Sequence, residues 1–415
     1  MRNQPGHRPA ARRQGGAEPQ GPALPRGLLA FSLLAGGLFL GAPAFAQPRG
    51  QAPAQPAACG SNLEITRSTQ LEPNCRYTGT TVITGSNLVL DCRGATLDGE
   101  YKVPRTLVVG GQRGVSQVQI RNCNVTGARG NGVYIGSTVT SVRIVQPGGG
   151  RPDSNLLPQH VTLQNVTSRR NSGGGVYIDG YVDDTTVLDS LVEENGSIGI
   201  YLDHDSRRSR IANTRVLRNG FGNEGDVPFA RERTREGIAI DSSADNVIEG
   251  NTIVGNKAGG IFLYRNCGER PNDPDAFLRM QPTTNNTIRN NTIDGGSLVG
   301  IAVASRQESR LRPEACMLRL DPARGVFADA APGNRVIGNT IRNVPVGIRV
   351  SDDSNVVEDN RIAAASDCIR LGSDQRNRLQ HPVRDLTVKG NTCQSGGVTV
   401  LPGTATVQGN GPMTR

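Results

Sequence analysis

Gly175-Val176-Tyr177-Ile178-Asp179 is followed by Gly199-Ile200-Tyr201-Leu202-Asp203 and then by Gly237-Ile238-Ala239-Ile240-Asp241. The five-place pattern returns as Gly260-Ile261-Phe262-Leu263-Tyr264, Gly300-Ile301-Ala302-Val303-Ala304, Gly347-Ile348-Arg349-Val350-Ser351 and Cys368-Ile369-Arg370-Leu371-Gly372. An earlier copy is Gly132-Val133-Tyr134-Ile135-Gly136, and a late one is Gly397-Val398-Thr399-Val400-Leu401. The second and fourth places always hold Val, Ile or Leu. Side chains alternate across a strand, so this pair points to one side and the third and fifth places to the other. With the apolar pair inside, the outward places form two columns. One begins with Tyr134, Tyr177 and Tyr201; the other holds Asp179, Asp203 and Asp241.

A second element fixes the period. Asn251-Thr252-Ile253, Asn291-Thr292-Ile293, Asn339-Thr340-Ile341, Asn360-Arg361-Ile362 and Asn391-Thr392-Cys393 each precede a copy of the first motif, with Asn165-Val166-Thr167 and Asn213-Thr214-Arg215 read as variants. Each repeat is thus a strand, an Asn corner, a strand, a Gly turn and a third strand. Spacings are 24 (175 to 199), 23 (237 to 260) and 21 (347 to 368); steps of 38, 40 and 47 carry loops. A unit this small cannot bury its own apolar face, so copies must stack. The segments are short, β-branched and Gly-bounded, which suits strands and not helices. Strands separated by whole coils run parallel, and the Asn corners stack into a hydrogen-bonded ladder.

The termini read differently. Residues 1–46 carry Arg2, Arg8, Arg12, Arg13 and Arg26, an apolar run from Leu28 to Leu40 too short to span a bilayer, and Ala44-Phe45-Ala46 as a small-x-small cleavage site. This is an export signal, which predicts a periplasmic or secreted chain without membrane insertion. Residues 47–58 form a Pro/Ala/Gln linker, 59–81 a cap on the first coil, 82–401 the stack and 402–415 a loose tail. The whole chain has a net charge of +9; without the five arginines and Glu18 of the signal the excess is +5. That suits an anionic partner. No basic stripe with aromatics or zinc-finger spacing occurs, so nucleic acid is not expected. All eight Cys follow the signal, none in a C-x-x-C, and an even count in an exported chain predicts disulfides. Proximity along the chain pairs them as 59–75, 92–123, 267–316 and 368–393. Three loops interrupt the coils: Gly220 to Glu236, Asn266 to Thr284 and Arg306 to Gly333. The last two leave one edge a coil apart and each carries one Cys, the reason for pairing Cys267 with Cys316.

The repeat resembles the right-handed parallel β-helix of the pectin-lyase-like superfamily. That resemblance implies an all-β, single-stranded, right-handed parallel solenoid, and supplies the handedness. Four His occur. His7 lies in the signal, and His160 and His381 sit beside Pro158 and Pro382 at loop-to-coil junctions, where a structural role is expected. His204 follows Asp203 within Leu202-Asp203-His204-Asp205-Ser206, and two coils later its place is taken by Arg265, after Tyr264. This cluster resembles the polysaccharide lyases and mannuronan C-5-epimerases built on β-helices. In the epimerases a D-P-H-D stretch carries the proton-abstracting His and a nearby Arg neutralises the uronate carboxylate; here the Pro is missing and the Arg is two coils away. The D-H after a strand is also similar to pectate lyases, where the Asp helps hold calcium. The galacturonan hydrolase pattern is absent.

Removing the C5 proton of a uronate needs positive charge on the carboxylate, a base of near-neutral pKa and an acid for the leaving oxygen or the opposite ring face. Arg265, His204 with the adjoining Asp203, and Tyr201 or Tyr264 are the candidates. Tyr134, Tyr177 and Asp205 would contact the sugar of an acidic polysaccharide bound by a monomeric chain. The Asp179, Asp203 and Asp241 column, at about 4.8 Å per coil, would either share a calcium ion or keep a proton. The protonated form suits a glycoside hydrolase. A glycan-binding or scaffolding β-helix without turnover remains the non-enzymatic alternative, since stacking of Tyr and turn chemistry of Asp produce the same columns without function.

Overall fold

The computed structural model describes residues 58–111, 114–137, 151–231, 234–266, 281–304, 319–321, 326–327, 331–378, 380–404 and 407–408. The expected signal, most of the linker and the Cys267–Cys316 pairing lie outside them, as does most of the two loops that carry those cysteines.

Among the described residues the chain winds into a parallel solenoid of a 21-stranded and a 12-stranded sheet. One turn shows the path. Gln159–Gln164 lies in the smaller sheet, and Thr167–Arg169 and Val176–Ile178 lie in the larger. Each strand then pairs in parallel with its counterpart one coil on: Thr186–Leu188, Leu191–Glu193 and Ile200–Leu202. The five-place motif stacks in register, Val176 on Ile200, then Ile238, Ile261, Ile301, Ile348 and Ile369. These side chains are buried in one continuous core. Burying each such side chain contributes about 1.5–3 kcal/mol, and no coil alone has enough of them to offset its ordering.

The solenoid is longer than residues 82–401. Ala58–Ser61, Glu64–Ile65 and Thr69–Gln70 pair in parallel with strands of the next coil, so the segment read as a cap is itself a coil. At the other end Val407–Gln408 pairs with Leu386–Lys389 inside the stretch read as a loose tail. Cys59–Cys75 and Cys92–Cys123 are bridged near the first end and Cys368–Cys393 near the last.

The Asn ladder forms as expected from Asn251 to Asn391. Each side-chain amide donates to the next Asn Oδ1 at 2.8–3.0 Å. Asn165 and Asn213 do not belong to it. They occupy the preceding left-handed position, at φ 52° and 50°, and the ladder continues backwards through Thr214 and Ser190. Two further ladders also run up the buried corners: Asn171, Asn195, Asn219 and Asn256, and Asn246, Asn286, Asn334 and Asn355. Buried backbone and amide groups at sharp corners must be paired, and a stacked Asn does this for the coil on either side.

Candidate functional site

The third-place column lies on the outer face of the larger sheet. In register it reads Tyr134, Tyr177, Tyr201, Ala239, Phe262, Ala302, Arg349 and Arg370. Tyr134 and Tyr177 stack at 5.9 Å between ring centres, and Tyr177 and Tyr201 meet at 5.0 Å. The Arg105 guanidinium covers Tyr134 at 3.4 Å. The acids stand beside this column, also in order, with Tyr264 opposite Asp241.

The two columns are tied diagonally. The Tyr134 hydroxyl donates to Asp179, Tyr177 to Asp203 at 2.5 Å and Tyr201 to Asp241 at 2.5 Å. Each aspartate is two places along and one strand over, the diagonal that an aromatic side chain spans. Neither column is an open surface: Tyr134 is 4% exposed, Tyr201 8% and Asp241 0%. Burial, with the hydroxyl given to a carboxylate, pushes the Tyr134 phenol far above its ordinary value.

Asp179, Asp203 and Asp241, expected to share a calcium ion or keep a proton, are each engaged in hydrogen bonds. One oxygen of each is taken by a tyrosine. Asp203 Oδ1 also accepts from the His204 peptide N–H at 2.7 Å, and Asp241 Oδ1 from Ser242 Oγ at 3.0 Å and Asn266 N at 2.8 Å. Among the described residues no group of three His, Cys, Asp or Glu is placed to hold a metal ion. A hard cation needs several oxygens converging on one point, whereas these face successive tyrosines.

His204 and Asp203 do come together, with Nδ1 3.2 Å from Asp203 Oδ1. The imidazole is 4% exposed. It packs beneath the preceding coil, edge-on to Tyr181 at 5.3 Å. The close approach requires Gly180: a Cβ there would lie 2.2 Å from Nε2. Neither ring nitrogen reaches solvent. Arg151 closes the cover, donating to the Asp205 carbonyl at 2.7 Å, the Tyr181 carbonyl at 3.1 Å and Asp183 at 2.9 Å. Nothing in the sequence marks Arg151, which precedes Pro152 outside any repeat.

Three other expected site residues are turned away from solvent. Asp205 is 2% exposed in a left-handed turn, and burial raises its carboxyl above the ordinary value. Arg265 is fully buried and stands two coils from His204, with Ser242 between them. Tyr264, 1% exposed, donates at 2.9 Å to Glu236, which also pairs with Arg235 at 3.4 Å. Tyr264 joins Tyr201, Ala239, Phe262 and Ala302 in an apolar cluster on the outside of the sheet. Its signal was present: Ile238-Ala239-Ile240, Ile261-Phe262-Leu263 and Ile301-Ala302-Val303 lack polar alternation, as a strand covered on both faces does.

A family model described as a right-handed β-helix region matches residues 107–305 and 275–410, and the chain belongs to that family. Among solved structures, the periplasmic alginate epimerase AlgG superposes with a TM-score of 0.53 at 14% identity, over 84% of this chain and 76% of that one. The A-module of the mannuronan C-5 epimerase AlgE4 of Azotobacter vinelandii gives 0.47 at 15% identity, over 86% and 89%. At such identities the likeness is one of fold. No curated protein matches the chain.

Proposed function

We propose that this chain is an exported, monomeric, carbohydrate-active β-helix that abstracts the C5 proton of a uronate in an acidic polysaccharide, as a lyase or a C5-epimerase. The observation that carries this reading is the Asp203–His204 contact at 3.2 Å, with the other Asp203 oxygen held by Tyr177. A carboxylate this close stabilises the imidazolium that forms when the base accepts a proton. Tyr201, in the same coil, is the acid, and its hydrogen bond to Asp241 gives its proton a neighbour to exchange with. Arg265 supplies positive charge from two coils away. In this reading the Tyr181 ring and the Arg151 guanidinium must swing aside before Nε2 meets a sugar. Export is supported by the three bridges among the described cysteines; no helix among the described residues is long and apolar enough to cross a membrane.

The burial of His204 and Arg265 favours a second reading, a glycan binder without turnover. Burial and the nearby Asp203 raise the Asp179 carboxyl above its ordinary value, the direction a hydrolase acid requires. A screen against alginate, pectate and related polyuronates separates these. A lyase product absorbs in the ultraviolet, an epimerase incorporates deuterium at C5 from heavy water, a hydrolase yields only new reducing ends and a binder none of these. His204→Ala is expected to abolish turnover and keep the fold by circular dichroism. Full activity in that variant removes the mechanism.

A further inference from the structure

The loop between the strands Arg215–Leu217 and Ile238–Asp241 folds back against the direction of winding. Gly222 N donates to the Gly196 carbonyl at 2.9 Å, one coil before the loop's root. A coil earlier again, the Ser172 hydroxyl holds the Pro228 carbonyl at 2.5 Å. The next residue, Phe229, reaches yet another coil: Arg129 places its guanidinium 4.6 Å from the ring centre, and the Tyr101 ring lies 6.2 Å away, tilted by 54°.

Phe229 is 63% exposed and has φ +60°. A bulky aromatic in the left-handed region is strained, and here little burial offsets the strain. Tyr101, its neighbour in space, also has a positive φ of 54° and is held by its hydroxyl on the Arg170 carbonyl at 2.9 Å. Arg129, Arg170 and Lys102 are exposed around the two rings. On the strand that follows Tyr101, Arg105 lies over Tyr134, the first ring of the tyrosine column. A solvent-facing aromatic ring held out at a cost in backbone strain, beside an exposed cation, is the informative kind of exposed apolar surface.

We propose that Phe229, Tyr101 and Arg129 form a glycan subsite that takes a uronate residue, its apolar ring face on Phe229 and its carboxylate on Arg129. The choice of ligand rests on the acidic-polysaccharide reading above; the subsite does not depend on proton abstraction at His204. A neutral sugar meets only the ring, whereas a uronate meets ring and charge.

The test is retardation of the full chain in gels containing alginate, polygalacturonate or dextran, with thermal unfolding alongside. Phe229→Gly is expected to weaken retention by a polyuronate about tenfold while leaving the unfolding midpoint unchanged or higher, because glycine takes φ +60° without strain. Arg129→Gln should weaken the polyuronate interaction, flatten its salt dependence and leave dextran unaffected. A wild-type chain that is retarded by a polyuronate but turns nothing over loses the catalytic reading and keeps the subsite. The proposal is overturned if Phe229→Gly keeps full affinity, if its midpoint falls while affinity holds, or if the wild type is retarded by neither polyuronate.

Discussion

Asp179 combines two influences that disfavour a charged carboxylate, burial first and the nearby Asp203 second, and the Tyr134 hydroxyl offsets them only in part. Its folded pKa therefore lies above the ordinary 3.8. A carboxyl raised in the folded state binds its proton more tightly there than in the unfolded chain, so its contribution to stability is complete at acid pH and is lost as pH rises through the raised value. Asp179→Asn cannot ionise yet still accepts from Tyr134. Its unfolding midpoint should gain on that of wild type as pH rises above about 4, as read by calorimetry; parallel curves would show that Asp179 titrates as an ordinary carboxyl. At this scale the periodicity brought out Tyr134, Tyr177, Tyr201, the three aspartates and His204, because identical places in successive coils become neighbours. It did not bring out Tyr181, Arg151 or Glu236. Their contacts depend on side-chain length and on a loop's path, neither of which has a period.

The three Asn ladders are the elements that hold the corners. Asn291 accepts on Oδ1 from the backbone and side chain of Asn251 at 3.0 and 2.9 Å, and donates from Nδ2 to Asn339 at 3.0 Å and to the Ile248 carbonyl at 2.9 Å. Asn291→Ala strands these partners away from water. A cost of about 3 kcal/mol is expected, measured by denaturant unfolding; a loss below about 0.5 kcal/mol, the range of ordinary surface changes, would mean that the ladder is incidental. The N-T-I corners were legible because Asn recurs there beside an apolar strand. The offset at Asn165 and Asn213 was not, since a left-handed residue and a ladder residue are adjacent and both favour Asn. The pairing partner decides between them: Arg215, and not Thr214, lies opposite Thr252.

Across the whole molecule, the strands of each coil pair only with those of the coils on either side, so stability is distributed along the stack. The bridges Cys59–Cys75, Cys92–Cys123 and Cys368–Cys393 lie toward the two ends, where a coil has one neighbour fewer. Closing segments with sequence separations of 16, 31 and 25 residues contributes about 3 kcal/mol each in the chain-entropy view. Reduction should therefore raise amide hydrogen exchange in the first and last coils while the coils from Val176 to Ile301 stay protected; uniform loss of protection would show that the solenoid unfolds as one unit. By itself the sequence determined the parallel stack, the inward Val/Ile/Leu pair and the order of the two outward columns, because a repeat that cannot bury its apolar face alone has one way to do so. Only the tertiary structure decided what the columns do to each other and what covers them. Tyr hydroxyls reach diagonally to the next coil's Asp, Gly180 and Tyr181 close over His204, and a back-folded loop holds Phe229 in the open. Those outcomes depend on side-chain reach across strands about 4.8 Å apart and on the routes of non-repeating loops, and a local pattern of residues encodes neither.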